Sequence, residues 1–132
     1  MLSGRCSKEE AFERYVSRLR EMRVSVILFG SRARGDATAA SDYDLLIVKE
    51  DRALSVAPHL LEPMLDSTVV EVCLDELEER ACESSLVLAA VLEGELILDN
   101  LGIRRRLEEL RSELVRRGAS VDTRGVRFPV DV

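Results

Sequence analysis

The sequence predicts a single α/β domain. The expectation rests on a chain of 132 residues, too short for two independent cores, and on an amphipathic stripe at helical spacing near the N-terminus. It also rests on three short runs rich in β-branched residues, each bounded by breakers or caps and separated by helical patterns.

Taken in order, Ser7-Lys8-Glu9-Glu10 reads as a capping box, with Ser7 at the N-cap and Glu10 three positions on. Phe12, Tyr15, Val16, Leu19 and Met22 then share one helical face, which predicts a helix over about residues 8–22. Val24 to Phe29 reads as a buried strand stopped by Gly30, and residues 30–41 as a loop with room for one helical turn before Gly35. Asp42 to Val48 is a second strand, central in its sheet because both faces turn apolar after Asp44. Asp51 to Leu61 is a weaker helix interrupted by Pro58, and Thr68 to Leu74 a third strand with Glu71 amid aliphatic neighbours. Asp75 and Glu78 read as an N-cap pair opening a helix that runs to about Cys82. Ser85 to Glu93 is an apolar helix ended by Gly94, followed by a short edge strand, Glu95 to Leu98. Ile103 to Arg117 is a long charged helix with Gly118 at its C-terminal cap. The tail, 119–132, lacks a helical period and reads as a docked strand or a disordered end.

Composition narrows the function. Aromatic residues make up 4% of the chain and Trp is absent, which disfavours a stacking platform for single-stranded nucleic acid. A net charge of −6 disfavours a broad polyanion-binding surface, although it leaves room for a nucleotide held by a few local donors and a metal. Cys6, Cys73 and Cys82 have no CxxC spacing, which suggests a reduced, cytoplasmic protein without a zinc site. The longest apolar run, Leu86 to Leu92, is too short to span a bilayer, and the N-terminus shows no signal-peptide core.

The chemistry concentrates in three places. Asp42 and Asp44, two apart on a strand, point to one side, with Tyr43 facing the other. Two carboxylates so close repel unless a cation lies between them, and hard oxygen ligands of this kind suit Mg²⁺ together with phosphate oxygens and water. The bland reading of the pair is a solvated strand end. An EF-hand is excluded because Leu45 to Val48 supplies no further oxygen ligands. Gly30 lets the backbone approach a phosphate, while Ser31 and neighbouring N–H groups can donate to it, with Arg32 and Arg34 at hand to neutralise charge. No Lys-Ser/Thr pair follows Gly35, so this is not a Walker A loop. Arg34-Gly35-Asp36 matches an adhesion tripeptide by chance. Glu71, costly to bury unpaired, either faces solvent on an edge strand or completes a carboxylate cluster with Asp42 and Asp44.

The run from Leu28 to Gly35, the following Ser41 to Val48 with ten residues between Ser31 and Asp42, and the segment Val70 to Leu77 together resemble the minimal nucleotidyltransferases of the DNA polymerase β superfamily. The resemblance covers about residues 26–77. It implies a mixed β-sheet backed by helices, with core motifs in 24–77, helices in 85–118 and the tail beyond. It further implies that Asp42, Asp44 and Glu71 bind two Mg²⁺ ions and carry catalysis, and that Gly30 and Ser31, with Arg32 and Arg34, bind a nucleoside triphosphate. Glu at 71, where the family commonly has Asp, is the main departure.

Proteins of this kind often accompany a helical HEPN partner as the antitoxin of a toxin–antitoxin pair. The resemblance therefore implies AMP transfer from ATP to a tyrosine of a HEPN toxin; the apolar Leu86 to Leu92 helix and the charged last helix are candidates for the docking surface, although residue by residue they read first as ordinary core and a solvated face. The limited sequence after residue 77 agrees with an acceptor supplied in trans. Two alternatives stand beside it: transfer to a small molecule such as an aminoglycoside, and a module that binds a partner without turnover. Self-association is left open.

Overall fold

In the computed structural model, which describes residues 8–38 and 41–131, the apolar runs are divided between the two faces of one four-stranded sheet. The strands are β1 (Val24–Phe29), β2 (Tyr43–Lys49), β3 (Ser67–Cys73) and β4 (Glu95–Asp99), in the spatial order β3-β2-β1-β4. β1 pairs antiparallel with β2 and β4, and β2 pairs parallel with β3, so the sheet is mixed. Leu45 to Val48 are fully buried, as an interior strand requires.

Helices α1 (Lys8–Leu19) and α3 (Pro58–Leu61) cover one face. There Ala11, Tyr15 and Leu19 meet Val24, Val26, Tyr43, Leu45 and Ile47. The opposite face packs Ile27, Phe29, Leu46, Val48 and Val72 against α4 (Leu77–Ala81), α5 (Ser85–Glu93) and α6 (Arg104–Arg116). Ser31–Arg34 forms a single turn, α2. The expected mixed sheet flanked by helices is thus present. Among the described residues no helix is long and apolar enough to cross a membrane.

Several boundaries differ from the sequence reading for identifiable reasons. Ser7 lies outside the described residues, so the capping box cannot be followed there. α1 ends at Leu19 because the next residues turn so that Met22, Leu19 and Arg20 offer their carbonyls to Asn100 Nδ2. The helix expected over Asp51 to Leu61 shrinks to one turn starting at Pro58, a residue that fits the first helical position but not the interior. Asp75 does not cap α4: Leu74–Glu76 is a 3₁₀ turn leading directly into it. Ser84 instead caps α5, accepting from Val87 N at 3.3 Å.

Most of helix α5 is core, as the plainer reading of its apolar run expects. Val87, Leu88, Ala90 and Val91 are buried in the core, and only Leu86 of that run is substantially exposed. Its end runs so close to the sheet that a Cβ on Gly94 would lie 2.4 Å from Ile27 Cγ2. Arg111 of α6 closes that end by donating to Val91 O at 2.8 Å and Gly94 O at 3.0 Å. The tail is ordered as a hairpin, β5 (Ser120–Asp122) with β6 (Gly125–Arg127), and Val126 packs against the α5 side of the core.

One junction ties the edge strand to the last helix. Asp99 accepts from Ser25 Oγ at 2.8 Å, Ile103 N at 2.8 Å and Arg104 N at 3.2 Å, so it caps α6 from four to five residues upstream while anchoring β4 to β1. Burial pushes its carboxyl up, but these donors outweigh burial and hold it below the ordinary carboxylate range. We expect Asp99→Ala to cost about 1–2 kcal/mol in urea unfolding at neutral pH, through the lost cap and the stranded Ser25 hydroxyl. A carboxyl lowered by folding stabilises above its unfolded pKa and ceases to do so as pH falls through its folded value. The deficit of the variant should therefore be complete at neutral pH and shrink in acid, below the ordinary carboxylate range.

Candidate active site

The antiparallel register of β1 with β2 sets Phe29 opposite Asp44, so the residue after Phe29 passes directly over the Asp44 carboxylate. That residue is Gly30, with φ 75° and ψ −156°. Any side chain there is doubly excluded: the backbone lies where L-residues are strained, and a Cβ would stand 2.1 Å from Asp44 Oδ2. From Gly30 the chain makes the single turn α2. Ala33 N and Arg34 N donate to Gly30 O at 3.1 Å, and Gly35, with φ 83°, ends the turn in a left-handed cap. The first-turn N–H groups at Ser31 and Arg32 have no acceptor within such a turn, which leaves them suited to an anion above Asp44.

Asp42 stands just before β2, exposed, and receives Lys8 Nζ of α1 at 2.9 Å. Asp44 is partly buried. Its carboxyl is pushed up from the ordinary range, first by burial and further by the charge of Asp42. A hydrogen bond from Thr68 and the charge of Arg34 offset part of that rise. Asp42 and Asp44 are thus close enough to feel each other, and cationic side chains already lie around both. Oxygen donors that repel one another in a cationic surrounding fit a divalent ion of the Mg²⁺ type, completed by phosphate oxygens and water.

The two arginines separate. Arg32 is drawn away: its guanidinium donates to Ser41 O at 2.8 and 3.2 Å and to Thr38 O at 3.4 Å, and its Cζ lies 4.1 Å from the Tyr43 ring centroid. The same ring stacks on Phe12 of α1 at 4.1 Å, almost parallel. Arg32 therefore shapes the approach to Asp42. Arg34 stays beside Asp44, half-exposed, bridging Glu93 at 3.2 Å and Asp36 at 3.4 Å.

Glu71 does not join the pair, and this corrects the sequence reading. Parallel pairing sets Thr68 beside Asp44, Val70 beside Leu46 and Glu71 beside Ile47, so Glu71 faces the α1 side while Asp44 faces the α5 side. There it accepts from Lys49 Nζ at 3.0 Å and Val56 N at 3.3 Å. The half-buried carboxylate is satisfied by an ion pair and a backbone donor. Its charge, after burial itself, helps push the Tyr15 hydroxyl far above its usual range, and that hydroxyl donates to Val56 O.

Sequence reasoning also missed Thr68, Lys8 and Phe12. Thr68 becomes visible only with the β2–β3 register, and the other two only once α1 lies across β2. A separate group, Cys73, Asp75 and Glu76, brings its ligand atoms within 4.8 Å of one another at the far end of β3. Arg52 bridges both carboxylates, at 3.2 Å to Asp75 and closely to Glu76, which supplies the neutralising charge without a metal.

Two consequences are measurable. Gly30→Ala should lose about 2–4 kcal/mol of stability in denaturant unfolding, from the positive φ and the clash with Asp44. Asp44 has a carboxyl raised by folding, so stability is greatest below its unfolded pKa and falls as pH rises through the raised value. Asp44→Asn should therefore melt at a higher temperature than wild type at neutral pH in metal-free buffer, as read by calorimetry.

The model of the nucleotidyltransferase domain family matches residues 9–122. Among curated proteins none matches the chain. The fold is similar to that of a chain in a solved crystal structure of a toxin–antitoxin with AMP-PNP, at 20% identity and a TM-score of 0.50, over 76% of this chain and 81% of that one. The family match spans the Gly-Ser turn, both aspartates and all four strands of the main sheet, and the chain belongs to the nucleotidyltransferase domain family.

Proposed function

We propose that the chain transfers a nucleoside monophosphate, AMP from ATP, to a hydroxyl on a protein partner, a tyrosine of a HEPN-type toxin, and thereby acts as its antitoxin. The observation that carries the transfer reading is Gly30 lying against Asp44, which sets the backbone of the Gly30-Ser31 turn directly beside the carboxylate pair. The partner reading draws its support from the similarity to the toxin–antitoxin chain solved with AMP-PNP.

In this reading Asp42 and Asp44 hold a divalent cation, which when bound supplies Lewis-acid stabilisation of phosphate charge. The Gly30-Ser31 turn donates N–H groups to the β- and γ-phosphates, and Arg34, exchanging its contacts with Asp36 and Glu93 for phosphate oxygens, neutralises further charge. Arg32 and Phe12 hold Tyr43, and with it the start of β2, in place. The acceptor oxygen forms a bond to the α-phosphorus as the bond to the bridging oxygen of the β-phosphate breaks. Pyrophosphate leaves with that electron pair, and the acceptor proton passes to solvent or to a group of the acceptor. The separation of Glu71 from the aspartates favours one competing reading, a module that binds its partner without turnover.

The test is co-expression with a candidate HEPN partner, followed by incubation with Mg²⁺ and ATP labelled at the α-phosphate. Label should appear on the partner, and Asp44→Asn should reduce the rate about 100-fold or more. Absence of label, with Asp44→Asn still neutralising the toxin, would establish the binding module instead. Label on a small molecule would redirect the acceptor class.

A further inference from the structure

What this chain can offer a cation at Asp42 and Asp44 is decided by β3. The strand is the outermost of the sheet on that side, and its residues on the Asp44 face are Thr68, Val70 and Val72. None of them is a carboxylate. Glu71 is turned to the other face and held there by Lys49 and Val56 N. Asp66, just before the strand, is exposed, but among the described residues it does not complete a cluster with Asp42 and Asp44. Among the described residues, the one group of three His, Cys, Asp or Glu ligand atoms within 4.8 Å of one another is Cys73, Asp75 and Glu76.

The local charge agrees. Lys8 stands 2.9 Å from Asp42, and the charge of Arg34 reaches Asp44, so each carboxylate already has a monovalent cation for a neighbour. A first divalent ion between the two aspartates relieves their repulsion. A second would enter a site whose protein carboxylates are already shared, with phosphates and water as its remaining ligands.

We infer that the centre is a two-carboxylate site that seats one divalent cation per nucleotide, in place of the two that the family resemblance implies. Thr68 is the position at which the carboxylate set stops. The inference rests on the reading of Asp42 and Asp44 given above and deepens it. Thr68 hydrogen-bonds Asp44 and is exposed, so a carboxylate there would face the same ion without entering the core.

The experiment is equilibrium dialysis of the purified chain against excess Mn²⁺ and AMP-PNP, with bound manganese and bound nucleotide counted separately. Wild type should hold one manganese per nucleotide. Thr68→Asp should raise the ratio to two, while the uncharged Thr68→Asn, Glu71→Gln and Asp66→Asn should each leave it at one. Thr68→Glu, the longer acid at the same exposed position, is the second variant and should also raise it. A ratio of two in wild type, or a fall in manganese on replacing Glu71 or Asp66, would overturn the inference and leave the transferase reading intact. So would a Thr68→Asp ratio that stays at one together with an unchanged Thr68→Glu. Failure of wild type to bind either manganese or nucleotide would remove both readings together.

Discussion

The close approach of Gly30 to the Asp44 carboxylate is the constraint from which the rest of the site follows. The antiparallel register of two buried strands, Phe29 opposite Asp44, produces it. Shifting that register by one residue would turn Asp44 to the other face and exchange Leu45 and Ile47 with Leu46 and Val48 between the two packed faces, so the pairing that seats these four side chains also aims the carboxylate. Packing and site geometry are therefore one specification. Gly30 is the residue through which they meet: it alone allows both the left-handed turn into α2 and the contact with the carboxylate.

Around this pair of strands the fold is arranged to keep β1 from moving. On one edge β4 pairs with β1, and Asp99 ties that edge to the start of α6 while its hydrogen bond to Ser25 runs back to β1. Asn100 adds three carbonyls from the end of α1 and the following turn. Below the sheet, Arg14 of α1 grips Glu62 at 3.0 Å, fixing the segment that leads into β3. Most of these contacts are partly shielded from water, where losing one partner costs more than the bond itself contributes. The strands meeting at the site are thus clamped at both ends of the sheet, while the residues above it, Arg34 and Lys8, remain on side chains long enough to change partners.

The fold was largely legible because periodicity and breakers agree. Val24 to Phe29 ends at Gly30, Ser85 to Glu93 ends at Gly94, and the central position of β2 follows from its two apolar faces. What periodicity cannot give is pairing. Asp42 and Asp44 could be read as neighbours from one strand alone, since strand geometry relates i and i+2 directly. Glu71 could not, because its direction relative to Asp44 depends on the β2–β3 register, and an odd offset reverses the face. Lys49 was the available hint: one of two lysines in the chain, it sits on the same face of β2 as Leu45 and Ile47, where an apolar core would leave its charge unpaired without a carboxylate. A buried Lys on one strand and a Glu on the next answer each other's desolvation. The physical question that first suggested a metal ligand already had an answer within the protein.

The two carboxylates of this sheet therefore illustrate opposite ways of accommodating charge. Glu71 is neutralised permanently: Lys49 is only 12% exposed, the pair is closed over by α1 and the Leu54–Val56 segment, and breaking it would strand a charge in the core. Asp44 is left incompletely compensated. Burial and Asp42 push its carboxyl up more than Thr68 and Arg34 pull it down, and Lys8 is spent on Asp42 at the surface. A group held in that condition costs the fold stability whenever it is ionised, and a cation arriving with its own phosphate ligands recovers that cost as binding energy. A fully paired Asp44, bonded as Glu71 is, would make a more stable domain with nothing left to offer a cation. The incompletely compensated carboxylate of Asp44 thus sets this end of β2 apart from the better-satisfied Glu71 and from the Arg52-bridged cluster at the far end of β3.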